Sequence, residues 1–117
     1  MCIRDRYGDA GHGLSLVRRA AGGVERLAGE DLPLGIDADQ TWAEHELVLQ
    51  PGDTLFSFSD GLFDVLGGTH EALGEVARLL EAHPEPDDLL RAVRALASAA
   101  APLDDITAVA VRRVPRQ

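Results

Sequence analysis

The sequence has no lysine and no asparagine, one cysteine, one tryptophan and one tyrosine, and no apolar run of membrane-spanning length. Cys2 cannot form a disulfide within the chain, which suits a reducing compartment. A transmembrane helix needs about 20 consecutive apolar residues, and nothing in the chain approaches that. The N-terminus also lacks the apolar region of a signal peptide, so the expected location is the cytoplasm. Positive charge is scarce: 11 basic residues, every one an arginine, face 20 acidic ones for a net charge of −9. That balance argues against nucleic acid and against an anionic membrane as partners. Arginine in place of every lysine reads as a coding bias towards GC-rich codons and carries no functional weight. There is no Cys-x-x-Cys pair, no phosphate-binding glycine loop and no nucleophile elbow.

What remains is 117 residues, 45% of them hydrophobic, enough for one domain with a modest core. Residues 1–6 show no periodicity and are expected to stand outside the fold as a non-native or disordered leader, with the domain over 7–114 and a tail at 115–117. Leu14–Arg18 and Val24–Leu27 are short strand candidates joined by a turn at Gly22-Gly23. Trp42–Leu49 alternates with a period of two, as a half-buried strand does. Gln50-Pro51-Gly52-Asp53 reads as a four-residue turn into a strand over Leu55–Ser59, so these two strands are expected to form a hairpin.

The period then changes. Leu73, Val76, Ala77 and Leu80 recur at helical spacing up to a stop at Pro84. Pro86 suits a first helical position, and Asp87 and Asp88 suit the positive end of the helix dipole. Leu89, Ala92, Val93, Leu96 and Ala97 mark one apolar face of that second helix. Ile106–Val111, largely β-branched, reads as a closing strand. The expected class is α+β: mostly antiparallel strands with two helices on one face of the sheet.

Two acidic steps at strand ends carry the chemistry. Asp60-Gly61 follows the apolar run Leu55–Ser59, and Asp104-Asp105-Ile106-Thr107 opens the last strand, 44 positions on (104 − 60). Gly61 would let the backbone turn sharply there. A hard divalent cation needs several carboxylate oxygens brought together, and two acidic strand ends suit that need. Taken singly, each step also reads as an ordinary acidic turn. Neighbouring strand side chains point to opposite faces, so Asp104 and Asp105 cannot easily share one cavity.

The string from Pro51-Gly52-Asp53 through Ser59-Asp60-Gly61-Leu62, followed by Asp104-Asp105, resembles the metal-dependent PPM (type 2C) protein serine/threonine phosphatases. The likeness is to their bacterial SpoIIE-like branch. It covers residues 9–113, the C-terminal half of such a domain, and implies part of a PPM-type α-β-β-α sandwich. It also implies a pair of Mn²⁺ or Mg²⁺ ions acting through an activated water on a phosphoserine or phosphothreonine protein. An anti-sigma-factor antagonist is one such substrate, and upstream sensor domains are implied as well. Carried over residue by residue, Asp60 with Gly61 and Asp104 become metal-site residues, with Asp105 in reserve. His12, in an Ala10-Gly11-His12 step that opens a strand, and Asp64, one helical turn after Asp60, are secondary candidates. For Asp64 a structural role is the simpler reading. The family's N-terminal strands and their own aspartates are not matched, so the chain reads as a fragment, inactive alone. Two alternatives are a degenerate PPM-like module that binds a partner without turnover, and an unrelated α+β domain with coincidental acidic turns.

Overall fold

A computed structural model describes residues 3–7, 14–27, 38–39, 41, 45–99 and 105–114. Along the chain these form β1 (Ile3–Tyr7), β2 (Ser15–Arg18), β3 (Val24–Arg26), β4 (His45–Leu49), β5 (Thr54–Phe58), α1 (Asp60–Val65), α2 (His70–Ala82), α3 (Pro86–Ala99) and β6 (Ala108–Arg112). Four strands make an antiparallel sheet in the order β3-β2-β5-β6, and β1 pairs with β4 in a separate antiparallel ladder. The α+β class with antiparallel strands stands as expected.

Strict alternation in β5 builds the core. Thr54, Phe56 and Phe58 are buried, whereas Leu55 and Ser57 face the other side and are only partly covered. Phe56 and Phe58 stack with ring centroids 5.5 Å apart. Leu14 and Leu16 join them from the β2 side, and Leu62, Val76, Leu80, Leu89 and Val93 close over them from the three helices. The helical faces read from the sequence are therefore the ones that cover this sheet. Polar ties hold the layers in register: Thr54 Oγ1 donates to the carbonyl of Pro84 at 3.0 Å, and the Gly23 amide donates to Glu81 at 2.8 Å.

Three features differ from expectation. Residues 3–6 do not stand outside the fold, because Ile3 pairs with Leu49 and Tyr7 with His45 along β1. The partner strand lies some forty residues downstream, where local periodicity cannot reveal it. A third helix, α1, begins at Asp60 itself. Six residues are too few to hold a helix on propensity alone. Complete burial of Leu62, contributing about 1.5–3 kcal/mol, supplies what propensity does not.

The third difference is the β4–β5 link, which is a corner between sheets and not a hairpin. The Asp53 carboxylate accepts from the amides of Gln50 and Ala20 and from Arg19 Nη1, each at 2.8 Å. The Gly52 amide donates to the carbonyl of Arg113 at 2.7 Å, and the Arg113 amide donates back to the backbone carbonyl of Asp53 at 3.0 Å. Those bonds run to the β2 and β6 sides, so β5 takes β2 and β6 as neighbours and β4 turns away to β1. Gly52 is required here twice over. Its φ is +90°, and a Cβ would lie 2.8 Å from the Cβ of Ala20.

The face of the four-stranded sheet away from the helices is unevenly covered. Val17 is completely buried on it, but Val109 and Val111 of β6 are 56% and 48% exposed. Exposed valines on a strand at the end of a sheet favour association. The chain is therefore expected to self-associate with rising concentration, and the pair Val109→Thr and Val111→Thr to shift it towards monomer. Sedimentation velocity over a concentration series reads this; a strictly monomeric wild-type boundary throughout would contradict it.

Candidate active site

The site is built where β5 runs out. Ser59 is the last extended residue (φ −87°, ψ 168°), and Asp60 is the first residue of α1 rather than the end of the strand. An acid suits the first turn of a helix. Gly61 is buried and takes a helical position with no positive φ, so the change of direction comes from the helix start and not from glycine freedom. Asp60 is exposed, and so is Asp64 one turn later.

Register brings the second acidic segment alongside. The ladder between β5 and β6 ends with Phe58 opposite Ala108. It is extended by Ser59, whose amide donates to the carbonyl of Thr107 at 2.9 Å. The Ser59 hydroxyl accepts from the Thr107 amide at 2.9 Å and donates to the carbonyl of Asp105 at 3.3 Å. Asp105, also exposed, is thus bonded through its backbone to the residue that precedes Asp60. Asp104 and His12 lie outside the described residues.

Carboxylates are the hard oxygen donors that Mg²⁺ and Mn²⁺ take, and both Asp60 and Asp105 are open to an ion. The donor chemistry fits such a cation. Among the described residues no cluster of three or more His, Cys, Asp or Glu forms, so these two carboxylates would be part of a coordination shell that needs about six oxygens.

Sequence reasoning passed over Ser59, Arg19 and the true task of Asp53. Ser59 had a signal, a serine directly before an acidic helix start, which marks an N-cap. Asp53 had one too, in Pro-Gly-Asp, but its partner Arg19 had none. Arg19 Nη1 also donates to the carbonyl of Val48 at 2.7 Å, and its guanidinium pairs with Glu25 at 3.0 Å. Hydrogen bonds from Arg19 to Glu25 and then to Asp53 raise the Arg19 pKa. Burial pushes the Asp53 carboxyl up, but the amides of Ala20 and Gln50, together with Arg19, outweigh it and hold its pKa below the usual carboxylate value.

This arrangement of strands and helices has counterparts among known proteins. The family model for stage II sporulation protein E, SpoIIE, matches residues 4–114. The chain belongs to the SpoIIE family. Its fold is that of PP2C phosphatase domains. The RsbU and RsbW domains of a Mycobacterium tuberculosis protein share 26% identity with it, at a TM-score of 0.79 over 97% of this chain and 34% of that one. The SiaA-PP2C domain of Pseudomonas aeruginosa is 27% identical, at a TM-score of 0.66 over 92% of this chain and 46% of that one. The phosphatase domain of the cell fate determinant SpoIIE from Bacillus subtilis, presoaked with Mn, is 20% identical at a TM-score of 0.74, over 97% of this chain and 52% of that one. This SpoIIE-family chain therefore spans between a third and about half of the length of these structures. No curated protein sequence matches it. Among the described residues, no helix is long and apolar enough to cross a membrane.

Proposed function

We propose that this chain supplies the C-terminal half of a metal-dependent protein serine/threonine phosphatase domain, acting in the cytoplasm on a regulatory phosphoprotein such as an anti-sigma-factor antagonist. The observation that carries the reading is the bonded junction of Ser59 with Asp105 and Thr107, which joins the Asp60 segment to the second acidic segment in a chain of PP2C fold. A protein partner draws support from the RsbU and RsbW domains found together in one matched structure.

Asp60 and Asp104, with Asp105 in reserve, would hold the cations on this side of the centre. When bound, a pair of Mn²⁺ or Mg²⁺ ions supplies charge to the phosphoryl oxygens and acidifies a water. The chain's own part is to place its carboxylates at the ends of β5 and β6, on elements anchored by the Phe56 and Phe58 core. No nucleophilic side chain is required, in keeping with a sequence that carries no nucleophile motif.

The test is phosphate release from a phosphoserine protein, by the chain alone and by a chain extended upstream to the length of the matched phosphatase domains. The extended protein is expected to release phosphate with Mn²⁺ or Mg²⁺ and none in excess EDTA, and the chain alone none in either. Undiminished hydrolysis in EDTA would overturn the reading. Metal binding with no hydrolysis by the extended protein would favour a partner-binding module instead.

A further inference from the structure

A serine at the start of a helix ordinarily turns its hydroxyl onto the free amides of the first turn. Ser59 does not. It occupies the N-cap position of α1 with no side-chain bond to the helix. Its hydroxyl instead accepts from the Thr107 amide at 2.9 Å and donates to the Asp105 carbonyl at 3.3 Å, while its amide donates to the Thr107 carbonyl at 2.9 Å. Three bonds from one residue thus fix the strand entering β6 against the first residue of α1. A hydroxyl in the usual capping geometry would stabilise α1 and leave the Asp105 segment tied to Ser59 only through the Ser59 amide.

We propose that Ser59 is a positioning residue for divalent cation binding: its hydroxyl holds the backbone at Asp105 and Thr107 beside the start of α1, so that Asp60 and the second acidic segment can serve one centre. The inference rests on the metal-site reading above. The hydroxyl bonds to the backbone of Asp105 and Thr107. It acts by fixing where the neighbouring backbone carries its carboxylate, and outer groups of that kind commonly change metal affinity by about 10–100-fold when removed.

Mn²⁺ affinity, followed by the electron paramagnetic resonance of the free ion, and amide exchange at Thr107 test this on the 117-residue chain. Ser59→Ala is expected to weaken Mn²⁺ binding by about tenfold or more and to speed exchange at Thr107. Ser59→Thr, which keeps a hydroxyl, should restore both. Ser59→Val, which has the shape of threonine without the hydroxyl, should restore neither, and this pair decides the matter even if the alanine variant folds poorly. Asp60→Asn should lose Mn²⁺ affinity while exchange at Thr107 stays as in wild type. If Ser59→Ala and Ser59→Val speed exchange yet bind Mn²⁺ as wild type does, Ser59 only staples the sheet end; the positioning role falls and the metal site stands. If Asp60→Asn binds Mn²⁺ as tightly as wild type, the metal-site reading itself fails and takes this inference with it.

Discussion

Asp60→Asn is expected to cut metal-dependent phosphate release by at least about 100-fold in a chain extended to the length of the matched phosphatase domains. That exceeds the loss typical of groups that only orient a metal ligand. The substitution keeps the shape of the side chain and removes the charge. Because Asp60 is exposed at the first turn of α1, folding should change by no more than about 1 kcal/mol, the scale of a charge acting on a helix end. Turnover and stability should therefore separate. Asp64→Asn, on the same short helix and equally exposed, should be far milder if Asp64 has the structural role proposed for it. Turnover by Asp60→Asn close to wild type, with a matched urea midpoint, would remove Asp60 from the centre.

The largest loss of stability is expected at the other end of β5. Asp53 is 1% exposed, and its carboxylate holds two amides and a guanidinium at the corner where β4 leaves for the second sheet. Asp53→Ala would strand the amides of Ala20 and Gln50 and leave Arg19 with Glu25 and the Val48 carbonyl alone. A hydrogen bond to a charged group contributes about 1.5–3 kcal/mol, so losing all three should remove a large part of the roughly 5–15 kcal/mol that holds a domain together. Asn is no remedy, because its NH₂ group would face one of the same donors. Urea unfolding should show both variants far below wild type.

The same carboxylate sets a pH dependence. Its folded pKa lies below the ordinary value of about 3.9, so its contribution is fully present above that value. It is lost as pH falls through about 4 towards the lower folded pKa. Wild type should lose stability over that acid range more steeply than Asp53→Asn, which has no proton to take up there. Parallel curves for the two proteins below pH 4 would show that Asp53 does not titrate as a pinned carboxylate.

Much of this was legible in the chain itself. The α+β class follows from period two before residue 60 and helical period after it. Pro86 opens α3 with two acids in its first turn, and Leu89 and Val93 bury the face that their spacing marks. The Gly22-Gly23 turn joins β2 to β3, because both glycines take positive φ at no steric cost. Asp60 before Gly61 marked the end of β5, and the β-branched run Ile106–Val111 marked β6, which begins two residues later at Ala108. Each of these signals is local: it depends on neighbours within a few residues, which the sequence displays side by side.

Tertiary structure alone decided the rest. The pairing of β1 with β4 joins residues about forty positions apart, and nothing in Ile3–Tyr7 names that partner. Helix α1 exists because Leu62 finds a core to enter, a fact about Phe56 and Phe58 on β5 and not about six helical residues. Pro51-Gly52-Asp53 reads as a hairpin turn until Arg19, Ala20 and Arg113 arrive from elsewhere to bind it. Ser59 reads as the plain end of a strand until the Asp105–Thr107 segment lies beside it. The sequence determined which acids and which strands this protein has. Packing between distant segments determined which of them meet, because the bonds that bring Asp60 and Asp105 to one edge are made across 46 to 48 residues of chain.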